Sequence, residues 1–116
     1  MRKIISLAVV ALLASSMSAQ TIANMKDLNA EKKSAAINLK LTGTLTTTKN
    51  SDFRQLRDLC WQLRKLDLSE ATCPVLPKNA FHSRHHLQHI ILPNQLQEIG
   101  SQAFFACDNL QEMVIP

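Results

Sequence analysis

The chain has 116 residues, of which 46% are hydrophobic and 19% charged, with three cysteines and a formal charge of +4. That is room for one small domain with enough apolar material for a core, and too little charge for a disordered chain. Only two glycines occur, Gly43 and Gly100, which excludes a glycine-rich phosphate loop, whereas leucine fills seventeen positions.

Residues 1–19 read as a secretory signal peptide. Arg2 and Lys3 give a cationic start, Ile4 to Ala14 form an apolar run broken only by Ser6, and Ser15, Ser16, Ser18 and Ala19 supply the small residues of a cleavage site. The run is about half of the ~20 residues that span a bilayer as a helix, so a retained anchor is the weaker reading and no transmembrane segment is expected in the mature chain. Cleavage is expected after Ala19, with Ser18 as the neighbouring choice, and no cysteine precedes Cys60 to carry a lipid. Loss of Arg2 and Lys3 lowers the formal charge from +4 to +2. The remaining cations are scattered, which argues against a nucleic-acid partner.

Residues 20–62 read as an N-terminal capping region. A short helix is expected over 25–35, with Asn24 or Asp27 near its start. Ile37, Leu39 and Leu41 alternate with Asn38 and Lys40, as in a strand. Phe53, Leu56, Leu59, Cys60 and Leu63 fall at helix spacing, and Asp52 with Gln55 three residues on has the form of a capping box, which predicts a helix from about 53 to 61.

Residues 63–116 repeat. Leu63, Leu66 and Leu68 recur as Leu87, Ile90 and Leu92 at a shift of 24, and again as Leu110, Met113 and Ile115 at a shift of 23. Ala80-Phe81 recurs as Ala103-Phe104, Leu76 falls on Ile99, and Pro93 on Pro116. This is the spacing of leucine-rich repeats, here about two units plus the strand of a third. The last two apolar residues of each L-x-x-L-x-L are two apart, so both point to one face of a short strand. One turn of chain cannot bury that face alone. Stacked turns bury a continuous column and align their strands into a parallel sheet, with Leu76 or Ile99 and Phe81 or Phe104 filling the core on the return path. The fold class is therefore an α/β solenoid with short parallel strands, a helix-containing N-terminal cap and an open C-terminal end.

The run Leu87-x-x-Ile90-x-Leu92-Pro93-x-x-Leu96-x-x-Ile99-Gly100-x-x-Ala103-Phe104-x-x-Cys107-x-x-Leu110 resembles the BspA-type leucine-rich repeat of bacterial surface proteins, whose unit reads roughly I-P-x-x-V-x-x-I-G-x-x-A-F-x-x-C-x-x-L. The preceding unit departs from it, with Pro77 at the glycine and Arg84 at the cysteine. Leu39 to Gly43 through Leu66 to Ala71 resembles the family's N-terminal capping segment, so the resemblance covers about 37–116. It implies an exported bacterial protein, secreted or on the cell surface, whose solenoid binds other molecules, with adhesion to host matrix or other cells a common role.

Several residues invite sharper readings. His82, His85, His86 and His89 lie within eight positions, where imidazoles can share a metal on a helix. His89 belongs to a strand and His82 to the far side of the turn, and no carboxylate lies inside the cluster, so surface histidines are the favoured reading and no metal is assigned. Cys60 and Cys107 hold equivalent positions two turns apart, near ~10 Å, beyond the ~7 Å reach of a disulfide. All three cysteines, Cys73 included, read as small buried hydrophobes. Gly100 aligns with Pro77, whose ring fixes φ at a negative value, so this position needs no left-handed residue. Pro93 and Pro116 read as strand ends.

No nucleophile elbow, paired carboxylates or metal-hydrolase motif is present in the sequence, which points away from an enzyme and from any cofactor. The exposed strand positions remain. Lys65, His89 and Glu112 form one column and Asp67, Ile91 and Val114 the next, a face that fits a protein or glycan partner. β-propensity alone accounts for any single apolar residue there. The expected function is a non-catalytic binding or adhesion module. The alternative is a truncated N-terminal fragment of a longer solenoid, with only a structural capping role. The apolar pattern stops at the last strand, so the expected outcomes are a piece of a longer chain, a truncated product, or self-association through the open C-terminal edge.

Overall fold

The computed structural model describes residues 20–46 and 52–115; the expected export signal lies outside the described residues. Five short strands form one parallel sheet in the order β1 (Thr21–Ala23), β2 (Asn38–Leu41), β4 (Lys65–Asp67), β7 (His89–Ile91) and β9 (Glu112–Val114). Two further parallel pairs line the return path, β3 (Gly43–Thr44) with β5 (Ala71–Thr72), and β6 (Val75–Leu76) with β8 (Glu98–Ile99).

The register follows from the leucine spacing. Leu39 pairs with Leu66, Leu66 with Ile90, and Ile90 with Met113. These residues point inward because successive side chains of a strand alternate between faces, and only this register keeps every leucine out of water. The first three are buried almost completely. Leu41, Leu68 and Leu92 form a second buried column, and Leu63 and Leu87 a third. The stack reaches two strands further toward the N-terminus than the leucine spacing indicates, because β1 and β2 join the same sheet.

The helices differ from expectation in their ends. The segment 25–35 is a 3-10 turn (Met25–Asp27) followed by α1 (Ala30–Ala35). The cap is Asn29, whose side chain accepts from the Lys32 N–H at 2.8 Å, and not Asn24 or Asp27. Helix α2 (Asp52–Asp58) ends three residues short of the expected limit. The Asp52 carboxylate turns back to accept the Thr46 N–H at 3.0 Å, while the Asp52 N–H donates to Thr46 Oγ1. Gln55 accepts from the Lys33 ammonium.

A phenylalanine column closes the other side of the core. Phe81 stacks on Phe104 with ring centroids 5.6 Å apart and an interplanar angle of 21°. Phe53, from α2, meets Phe81 edge-on.

The bend between the two paths repeats its backbone as well as its side chains. Asn79 and Ser83 have φ near +60°, and so do Gln102 and Ala106, their equivalents in the following repeat. None is glycine, although left-handed backbone costs an ordinary residue roughly 1–2 kcal/mol. Hydrogen bonds between turns hold this side together: the Asn79, Phe81 and Ser83 N–H groups donate to the Ser101, Ala103 and Phe105 carbonyls at 3.1, 2.7 and 2.8 Å.

Gly100 is not left-handed, in line with its alignment on Pro77. It is required for a different reason: a Cβ there would lie 2.6 Å from the Lys78 nitrogen and the Pro77 carbonyl carbon. The turn carrying Gly100 lies directly against the backbone of the turn before it.

Cover declines along the stack. Leu76 is fully buried, but Ile99, expected in the same core position, is 45% exposed, and Phe104, Leu110 and Met113 are only partly covered. These residues pack against one neighbouring turn, whereas their equivalents pack between two.

Candidate functional site

The two expected columns are present on the outer face of the sheet. Lys65 pairs with His89 and His89 with Glu112; Asp67 pairs with Ile91 and Ile91 with Val114. Their flanking of Leu66, Ile90 and Met113 explains their position, since residues on either side of an inward leucine point outward. Both columns continue beyond the six expected residues. Asn38 pairs with Lys65, Lys40 with Asp67, and Ile22 with Lys40. The alternation at 37–41 signals this extension, but β1 carries no Leu-x-Leu to mark it.

The face is chemically zoned. In the Lys65 column, His89 Nδ1 lies 3.1 Å from Glu112 Oε1. In the Asp67 column, charge gives way to hydrocarbon at Ile91 and Val114, with Val114 44% exposed. Asp67 accepts the Ser69 N–H at 2.8 Å, which fixes its carboxylate. Lys40 Nζ lies 2.7 Å from Glu70 Oε2, a hydrogen bond that holds the ammonium above the usual lysine range despite partial desolvation. The Glu70 carboxylate is well exposed and water screens it, so this pair orders the surface more than it stabilises the fold.

The four clustered histidines separate. His82 lies 2.7 Å from Ser83 Oγ and against the Phe105 ring, with centroids 5.0 Å apart. His85 Nδ1 lies 3.0 Å from Asp108 Oδ2. His86 faces Trp61 of the preceding turn, and His89 faces Glu112 of the following one. Carboxylates do reach two of these rings, but from the next turn and not from within the cluster. Among the described residues no group of three metal-ligating side chains converges. The His82–Ser83 contact has the distance of a base and a nucleophile, but among the described residues no carboxylate orients His82 as a third group.

Cys60, Cys73 and Cys107 are free thiols. Burial pushes Cys60 up to about 11 and raises the other two. Cys60 and Cys73 are fully buried as expected, but Cys107 is only partly so, because it lies in the last described turn. Its thiol donates to the Phe81 carbonyl at 3.1 Å, a bond between neighbouring turns. Arg84, at the equivalent position, leaves a buried Nε without a partner among the described residues.

A five-stranded parallel sheet whose inner aliphatic residues recur once per turn, side by side, defines a leucine-rich repeat solenoid. A family model described as BspA type leucine rich repeat region, in six copies, matches residues 19–116. The chain belongs to that family. The match begins well before residue 37, in agreement with the placement of β1 and β2 in the sheet. Comparison with curated proteins and with solved structures found no match. Proteins of this family are typically surface-associated binding proteins and usually non-catalytic. Among the described residues no helix is long and apolar enough to cross a membrane.

Proposed function

We propose that this protein is exported through a cleavable signal at 1–19 and acts at the cell surface as a non-catalytic adhesion module. It binds a protein or glycan through Lys65, Asp67, His89, Ile91, Glu112 and Val114. The observation that supports this reading is the register of the sheet, which sets Ile91 directly beside Val114 on the open face with ionic groups around them. A small apolar centre with a polar surround is the arrangement of interaction sites, where the centre supplies affinity and the surround supplies orientation.

The test is capture of matrix proteins, glycans and whole bacterial cells by the mature chain, repeated with Ile91→Asp and Val114→Lys. The reading expects at least tenfold weaker capture by either variant, with an unchanged far-ultraviolet spectrum. Unaltered capture by both variants would overturn it.

A further inference from the structure

A second cluster, made of none of these six residues, lies where the chain enters β4 and β7. Trp61 is the only tryptophan of the chain and is 53% exposed. The His86 ring stands edge-on to it, with centroids 6.5 Å apart and an interplanar angle of 61°. Ile37, Gln62 and Arg64 complete a cleft of about 90 Å³ between them.

The backbone of the cleft and the Gln62 amide are fixed. The Arg64 N–H donates to the Ile37 carbonyl at 2.8 Å, and the Arg64 carbonyl accepts from Gln88 and His89. Gln62 Nε2 donates to the Ser34 carbonyl at 2.8 Å. His82, His85 and His89 each spend a ring nitrogen on a neighbouring side chain. Among the described residues the rings of His86 and Trp61 make no hydrogen bond, and the Arg64 guanidinium meets no carboxylate. The held backbone limits the ordering cost of binding to the side chains themselves, and their polar groups have no internal hydrogen bond to give up when a ligand engages them.

We propose that this cluster is a subsite for a carboxylate-bearing pyranose, a uronate or sialate unit of an acidic glycan. The electron-rich face of the indole matches the slightly positive C–H face of a pyranose ring. The planar fork of Arg64 matches a carboxylate. His86 and the Gln62 amide oxygen supply hydrogen bonds to ring hydroxyls. The cleft is far smaller than the ~300–1,000 Å³ of enclosed small-molecule sites, so it takes one ring of a chain lying along the surface. An acidic peptide satisfies Arg64 but offers Trp61 no flat C–H face.

The test uses the full chain and the fluorescence of its single tryptophan. The probes are a glucuronate-containing disaccharide, sialyllactose, lactose and a hexaglutamate peptide. At least one acidic saccharide is expected to shift the emission and to bind tenfold more tightly than lactose or the peptide; the stronger of the two identifies the source. Arg64→Gln is expected to remove the preference over lactose, and Trp61→Ala to abolish the calorimetric heat. Ile91→Asp is expected to leave saccharide binding unchanged, so that failure of the sheet-face reading and failure of this one are told apart. Absence of acidic-saccharide binding at millimolar concentration, equal binding of lactose, tighter binding of the peptide, or loss of binding in Ile91→Asp would each overturn the proposal.

Discussion

The ring of Phe53 stands edge-on to that of Phe81, with centroids 5.8 Å apart and planes inclined at 74°. This contact joins helix α2 to the first full repeat and starts a column that passes through Phe81 to Phe104. Both Phe53 and Phe81 are 1% exposed. Truncating a buried phenylalanine to alanine costs about 3–5 kcal/mol, through lost transfer energy and the cavity left behind. Phe81→Ala is expected to fall in that range by urea denaturation. A double-mutant cycle with Phe53→Ala is expected to give a coupling of about 0.5–1.5 kcal/mol, the worth of an aromatic pair beyond its area.

Gly100 predicts a large effect from a single methyl group. The atoms a Cβ would strike, the Lys78 nitrogen and the Pro77 carbonyl carbon, are backbone and cannot rotate away. Gly100→Ala is expected to lower stability by about 1–3 kcal/mol, the usual cost of overpacking. A urea midpoint equal to that of the parent chain would contradict the close approach of these two turns.

Ala106 predicts the opposite sign. Its φ of +61° is one that glycine adopts without steric cost. Ala106→Gly is expected to stabilise the chain by about 1 kcal/mol, the steric cost of an L residue there less part of the added unfolded-state entropy. The measurement is the thermal midpoint, which rises by roughly 4–8 °C for about 1 kcal/mol in a domain of this size.

The thiols predict both a reactivity order and a pH dependence. Cys107, the least covered, is expected to react first with a disulfide reagent, while Cys60 and Cys73 react only after unfolding. Burial places the folded Cys60 thiol at about 11 against an ordinary value of 9.0. The unfolded chain therefore releases this proton at lower pH than the folded one. The contribution of the protonated thiol is fully present below about pH 9 and is lost as pH rises toward 11. In Cys60→Ala the fall in urea midpoint over that window is expected to be shallower.

The inner columns are legible in the sequence because their cause is a periodicity. Leu66, Ile90 and Met113 differ in side chain but share one spacing, and spacing alone places them side by side. The outer columns follow as their alternates. Strand β1 is not legible, since Thr21, Ile22 and Ala23 carry no inward leucine and are held by pairing with β2. The Asn29 cap escapes a reading of the sequence because three neighbouring polar residues compete for that role, and only the fold decides which one meets a free N–H. Phe53 reads as one apolar position of an amphipathic helix, and its place in the phenylalanine column depends on a contact with the following repeat. The partnering of His85 and His89 by Asp108 and Glu112 is hidden for the same reason. The Trp61–His86 cleft combines residues from adjacent turns that share no motif.

The recurring left-handed residues have one more implication. Asn79, Ser83, Gln102 and Ala106 share a conformation that their own chemistry does not favour equally, and the bends of successive turns are clamped to one another. Their shape is thus imposed by the pile and inherited from the layer below. A duplicated or deleted layer can splice into such a stack without new instructions for folding its corner. The whole layer, and not the individual residue, is then the structural increment of such a stack.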